Sequence, residues 1–172
     1  LGSFKGDDKI ITVYKSGKYS ISGFELSNKF DDDLILIEKW HPSRAISCIY
    51  WNPKKELYFV KRFLVEVTTK MYSFIDQDCE LSLVAINYKP KVKISFNKRL
   101  KETKDLEDKM VALNEIVDIK GDKAKGNQLT RLKVKDITLM EVELGDEWPE
   151  EEILSEKSAV SEDVDTSLNI DN

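Results

Sequence analysis

Ala45-Ile46-Ser47-Cys48-Ile49-Tyr50-Trp51-Asn52-Pro53-Lys54-Lys55-Glu56-Leu57-Tyr58-Phe59-Val60-Lys61-Arg62-Phe63-Leu64-Val65 reads as strand, turn and strand. Residues 45–51 are rich in β-branched and aromatic side chains, the composition of a strand. Asn52-Pro53-Lys54-Lys55 is turn chemistry, because Pro presets φ and Asn tolerates the turn. Residues 57–67 resume as a strand or a bent pair. Strand alternation sends the neighbours Lys61 and Arg62 to opposite faces unless a bulge intervenes.

The same grammar extends outward in both directions. Residues 9–14 form a strand by β-branched content, Lys15-Ser16-Gly17-Lys18 a turn, and residues 19–22 the returning strand of a hairpin. Asp31-Asp32-Asp33 is a charged break. Leu34-Ile35-Leu36-Ile37 is a continuous apolar run, predicted to be a strand buried on both faces. Downstream, residues 79–87 and 91–96 flank a Tyr88-Lys89-Pro90 turn. Val92, Ile94 and Phe96 alternate with Lys93 and Ser95, which predicts one wet face. Residues 97–109 are almost all charged and read as a solvated loop or short exposed helix. Residues 110–119 return to apolar-rich sequence, and 120–127 form a basic turn with Gly121 and Gly126. Residues 129–140 read as paired strands with Leu132, Val134 and Ile137 inward. The fold class is therefore all-β.

Charge is segregated along the chain. The formal net charge is −5. Residues 1–140 hold 26 Lys+Arg against 20 Asp+Glu, while residues 141–172 hold 12 acidic residues against Lys157 alone. A moderately basic body thus carries a strongly acidic tail, an asymmetry that points to a nucleic-acid surface or a regulated one. The division falls at 1–141 for the body and 142–172 for the tail. Residues 155–172 are poor in aromatics and cannot bury enough apolar surface to offset their chain entropy, so the tail is expected to be disordered.

Several chemistries are not supported. No apolar run approaches the ~18 residues of a membrane-spanning helix, and no secretory signal is visible. One histidine, His41, leaves no room for a His-based metal site. Cys48 lies in an apolar strand and Cys79 between Asp78 and Glu80, neither with a basic partner nearby in sequence. There is no glycine loop of the phosphate-cradling kind. Asp31-Asp32-Asp33 lacks the Gly and distal Glu of a calcium loop. No catalytic residues, no metal and no cofactor are assigned.

Cations beside turns remain. Lys15 and Lys18 flank Gly17, Lys54 and Lys55 follow Pro53, and Lys123 and Lys125 precede Gly126. Cations at strand turns can meet a phosphate backbone without reading bases. Lysine also favours exposed turns and sheet edges for solubility alone. A loose repeat accompanies them: Lys18-Tyr19-Ser20-Ile21, Arg62-Phe63-Leu64-Val65, Lys91-Val92-Lys93-Ile94 and Arg131-Leu132-Lys133-Val134. Its spacing is on the scale of propeller blades of roughly 40 residues.

Two segments carry a family resemblance. Leu57-Tyr58-Phe59-Val60-Lys61-Arg62-Phe63-Leu64-Val65 is similar to a Tyr-x-x-Lys-Arg-Phe-x-Val strand. Residues 123–139, beginning Lys123-Ala124-Lys125-Gly126-Asn127, are similar to a Lys-Gly-Asn segment followed by a Val-Lys-Lys-Ile-x-Leu run. Over about residues 8–141 the chain resembles a C-terminal domain of bacterial type IIA topoisomerases. The domain is the one carried by the A-type subunit of topoisomerase IV or DNA gyrase, in the Bacteroidetes lineage.

The resemblance implies a propeller-like β-pinwheel whose positive rim binds and bends duplex DNA. The partners it implies are double-stranded DNA, the B-type subunit of the topoisomerase, and the rest of the A-type polypeptide. It implies no membrane partner, and a bacterial cytoplasmic, nucleoid-associated location. The family's cleavage tyrosine follows an arginine in a separate domain. No Arg-Tyr pair occurs here, so the chain carries no cleavage chemistry of its own, although the whole assembly would be an ATP-dependent DNA topoisomerase. The Gln-Arg-Arg-Gly-Gly-Lys-Gly box of gyrase is missing, a departure that favours a topoisomerase IV-like role. The length falls short of a full disc, so either the set of blades is incomplete or blades precede residue 1. The acidic tail resembles tails on some gyrases that compete with DNA for the rim. The candidate DNA-binding residues are Lys15, Lys18, Lys61, Arg62, Lys91, Lys93, Lys123, Lys125, Arg131 and Lys133. The rival reading is a protein-interaction β-propeller or barrel without nucleic-acid binding.

Overall fold

A computed structural model of the chain describes residues 3–25, 29–65 and 70–149. Three sheets make up the described part. The first holds β1 (Lys9–Tyr14), β2 (Lys18–Gly23) and β3 (Leu34–Lys39). The second is built on β4 (Ile46–Asn52) and β5 (Leu57–Leu64), and the third on β8 (Lys91–Phe96), β9 (Lys109–Ala112) and β12 (Val134–Leu139). The remaining elements are β6 (Tyr72–Ser73), β7 (Glu80–Ala85), a helical turn α1 (Leu113–Ile116), β10 (Ile119–Gly121) and β11 (Asn127–Gln128).

The sheets are interlaced. After β5 the chain returns to the first sheet, where β6 pairs with β2, and then re-enters the second, where β7 pairs with β4. After β9 of the third sheet it returns to the second, where β10 and β11 both pair with β5. It then closes the third sheet with β12 against β8. Only the β10–β5 pairing is parallel among the described strands. The fold is all-β, with blade-like sheets that form no closed barrel among the described residues.

Alternation on the second sheet explains where the core lies. On β4, Ile46, Cys48 and Tyr50 face Ile11, Val13, Tyr19 and Ile21 of the first sheet. Ile49, between them, faces Val92, Ile94 and Phe96 of the third sheet. On β5, Phe63 joins the first cluster and Val60 the second. The second sheet is thus covered on both faces, and residues 46–50 are all buried. Each such aliphatic or aromatic side chain contributes about 1.5–3 kcal/mol of transfer free energy. Burial pushes the Cys48 thiol up to about 12, so it packs as a small apolar group.

Burial on both faces belongs to the central strands β1 and β4, not to β3. Ile35 is 48% exposed, because β3 is the edge of the first sheet and only one of its faces meets the core. Residues 129–140 are also not paired strands. Residues 129–133 cross from the second sheet to the third, and β12 alone follows. Leu132, Val134 and Ile137 nevertheless pack inward on the second cluster. The four repeat segments do not share one place. Two begin β2 and β8, one ends β5, and Arg131-Leu132-Lys133-Val134 straddles a crossover, with two of the four in one sheet.

Turn chemistry fixes the first hairpin. Gly17 has φ +80°, and its N–H donates to the Tyr14 carbonyl at 2.9 Å. Asp33 caps the turn, accepting the Ser16 N–H on its carboxylate and the Lys15 N–H on its carbonyl. At the second hairpin, Asn52 Oδ1 accepts the N–H groups of Lys54 and Lys55. Residues 150–172, the larger part of the acidic tail, lie outside the described residues, as do 66 and 67 of the predicted second strand.

Candidate nucleic-acid interface

Contacts between the sheets set their hairpin turns at a common end. The starts of β1 and β4 meet across a cleft lined by Ile11, Trp40, Ile46 and Val65, where β5 ends. Tyr88, just before β8, accepts a hydrogen bond from Arg62 at the end of β5. At the other extremity Leu129 donates its N–H to Tyr58 at the start of β5, and Asn97, just after β8, donates to Lys133. The β1–β2 turn, the β4–β5 turn and the 97–108 turn therefore project from the same end of the stack.

Exposed cations gather there. Lys15 and Lys18 stand on the first turn and Lys54 and Lys55 on the second; of these four only Lys54 has an ion pair among the described residues, with Asp78 at 3.0 Å. Lys98, Arg99, Lys101 and Lys104 crowd the third turn, and Arg131 and Lys133 are exposed on the crossover beside it. Lys98 Nζ donates to the Leu106 carbonyl. Sequence reasoning nominates none of the four cations of the 97–108 turn, although the density of Lys and Arg there is an available signal.

Lys123 and Lys125 lie on the crossover between β10 and β11, and both are exposed. This crossover borders residues 73–76, forming a shallow pocket of about 210 Å³ with them. Those residues in turn hold the first hairpin, because Phe74 N–H donates to the Gly17 carbonyl at 2.9 Å. Lys15, Lys18, Lys123 and Lys125 are thereby brought to one neighbourhood at the junction of the first and second sheets.

Lys61 and Arg62 are not surface cations. They are only 6% and 5% exposed, and alternation along β5 sends them to opposite faces. Lys61 Nζ donates to the carbonyls of Asp122 at 2.7 Å and Ala124 at 3.0 Å, and lies over the Phe63 ring. Arg62 donates through Nε to Ser47 Oγ at 3.0 Å and through Nη2 to the Tyr88 carbonyl at 2.8 Å. Burial lowers the pKa of both. Both side chains are engaged by internal carbonyls and a hydroxyl, which removes them from any rim.

Lys91 and Lys93 are half-buried on β8, at the far end from the turns for Lys91. Lys91 Nζ sits 3.3 Å from Glu143 and 3.4 Å from Asp146, acidic residues beyond β12 that fold back on the body. The hydrogen bond to Glu143, with Asp146 beside it, raises the Lys91 pKa. Trp148 continues this return. Its Nε1–H donates to the Ile86 carbonyl at 2.7 Å, and its ring packs on Tyr88 at 4.9 Å. Packing on the body thus runs on to residue 148. Trp148 also lines the cleft of about 570 Å³ at this end, with Trp40 and His41.

Exposed cations share the turn end with exposed carboxylates at Asp31, Asp32, Glu102, Asp105, Glu107 and Asp108, while at the opposite end Glu143 and Asp146 pair with Lys91. Exposed ammonium and guanidinium groups are of the kind that meet phosphates without reading bases. Comparison with curated proteins and with solved structures returns no match. The family described as "Topoisomerase C-terminal domain, Bacteroidota" matches residues 1–141. The interlaced, blade-like all-β body and that match together place the chain in the family of Bacteroidota topoisomerase C-terminal domains.

Proposed function

We propose that this domain binds and bends duplex DNA for a type IIA topoisomerase of the topoisomerase IV kind, presenting the bound segment to a catalytic core carried elsewhere. The observation that carries this reading is a set of exposed cations with no salt-bridge partner among the described residues, which share their turns with exposed carboxylates such as Glu102, Asp105, Glu107 and Asp108. Lys15, Lys18, Arg131 and Lys133, with the four cations of the 97–108 turn, are exposed at the hairpin-turn end, and Lys123 and Lys125 are exposed on the β10–β11 crossover. No carboxylate pairs with any of them among the described residues. Lys93, half-buried, is a lesser contributor, and Lys91 is engaged by Glu143 and Asp146.

The mechanism is electrostatic. Each phosphate neutralised releases condensed counterions, and affinity gained this way carries little base specificity. Curving a 20–30 bp site costs of order 1–6 kcal/mol, which further phosphate contacts along the three turns offset. The partners in this reading are double-stranded DNA and the other domains and subunits of the topoisomerase, in the bacterial cytoplasm.

Duplex binding over a salt series tests it. Neutralising about six phosphates gives a log–log slope near −5 for duplex DNA. Affinity should rise with duplex length until the three turns are spanned. A chain with no measurable duplex affinity at low salt would instead be a protein-interaction module whose lysines serve solubility.

A further inference from the structure

The crossover that carries Lys123 and Lys125 has almost nothing apolar to fix it. Residues 120–126 include three lysines and two glycines, and Ala124 is their only apolar side chain. A segment of this composition has little surface to bury and repels itself. Its conformation is nonetheless regular: Asp122, Ala124 and Gly126 are partly buried, while Gly121, Lys123 and Lys125 are exposed.

The inward positions are each held by a polar group from the strands beneath. Lys61 Nζ takes the carbonyls of Asp122 and Ala124. Tyr19 donates its hydroxyl to Asp122 Oδ2 at 2.8 Å. Tyr50 accepts the Gly126 N–H. Lys123 lies between the two carbonyls that Lys61 grips, and Lys125 between the second of them and Gly126. Lys61 forms no salt bridge with a carboxylate among the described residues; its hydrogen bonds go to the backbone of the crossover, and its ammonium also lies over the Phe63 ring.

We propose that Lys61 is a positioning residue, which holds residues 122–124 so that Lys123 and Lys125 stand outward, spaced for successive phosphates. The proposal rests on the DNA-binding reading above. It assigns the lysine of the Lys61-Arg62 pair a function beneath the binding surface. An ammonium suits the task because it carries three N–H donors on a long stem and can satisfy two carbonyls two residues apart, which no apolar side chain of similar size can do.

The test uses the full chain and a duplex of about 30 bp, within the range over which bending is shared by many contacts. Lys61→Met keeps the stem and removes the donors. Amide exchange at residues 122–126 should quicken while the rest of the second sheet keeps its protection. Duplex affinity should fall, with the salt slope shrinking by at most about 1.8, the share of two phosphates. Combined with Lys123→Ala and Lys125→Ala, Lys61→Met should cause no further loss, because the groups it positions are gone. Arg62→Met, whose donors serve Ser47 and Tyr88, should not quicken exchange at 122–126 more than in the rest of the second sheet.

Additive losses, or unchanged exchange at 122–126 in a folded Lys61→Met chain, would overturn the proposal. If Lys61→Met does not fold, Tyr19→Phe cuts a single tether to Asp122 and should give the same signature, weaker; no change in exchange there would also overturn it. Absence of duplex binding by the unaltered chain sinks the DNA reading instead. The exchange measurement then still decides whether Lys61 fixes the crossover.

Discussion

The Tyr50 hydroxyl accepts the Gly126 N–H at 3.1 Å, joining residues 76 positions apart in the chain. Gly126 is pressed against this contact. A Cβ there would meet the Tyr50 hydroxyl at 2.8 Å and the Val60 carbonyl at 2.9 Å. Neither can retreat, because Val60 is in β5 and Tyr50 belongs to the first core cluster. Gly126→Ala should cost about 1–3 kcal/mol by overpacking, read from the denaturant midpoint. Tyr50→Phe, which removes the acceptor and keeps the ring, should cost about 1 kcal/mol.

Gly17 faces a different obstacle. Its φ of +80° disfavours any Cβ, and that Cβ would overlap Ile75 Cγ1. Gly17→Ala should therefore destabilise through two separable terms. Adding Ile75→Ala relieves the clash and leaves the backbone term of about 1–2 kcal/mol. A thermal-unfolding double-mutant cycle measures the coupling, and strict additivity would mean that Ile75 yields freely.

Arg62 is expected to matter for stability more than for binding. Arg62→Met leaves the Ser47 hydroxyl and the Tyr88 carbonyl without their charged donor, at a cost of about 1.5–3 kcal/mol. Chemical denaturation should show that loss. In duplex binding by the folded variant the salt slope should stay the same, since no phosphate contact has been removed. A slope smaller by about 0.9 would return Arg62 to the binding surface.

The acidic terminus should oppose DNA binding, and the docked residues decide where to cut. Trp148 and Asp146 pack on the body, so a chain ending at 141 would expose Tyr88 and free Lys91 in one step. Ending the chain at 149 keeps those contacts and removes eight acidic residues and Lys157. The shortened chain is expected to bind duplex DNA more tightly at low salt, with the advantage fading as salt screens the repulsion. Equal affinities throughout the salt series would show that residues 150–172 do not act on the interface.

What is legible in the sequence is local. Gly17 and Asn52-Pro53 announce their turns through their own backbone preferences, so both hairpins and the all-β class follow from short windows. The strands β6, β10 and β11 are not legible, because two or three residues carry no periodicity and their partners lie far away in the chain. The helical turn α1 is too short to show a helical period. Ile35 misleads for a related reason, since an apolar run does not say whether its strand is central or at an edge. At the interface, exposed turn lysines are readable from composition and turn chemistry. Alternation places Lys61 and Arg62 on opposite faces, but it cannot reveal that a crossover and a neighbouring turn cover each one.

The interlacing of the sheets bears on how the domain is made. As the chain leaves the ribosome, the first sheet lacks its β6 edge until residue 73 has emerged, and the second lacks β10 and β11 until residue 128. Each sheet waits for a segment that is synthesised after its neighbour has begun. Pairings so distant in sequence fold slowly and resist stepwise completion. No sheet can be excised, duplicated or shuffled as a separate cassette without taking a strand from the next, so a change in the number of sheets must proceed by exchange of the overlapping unit.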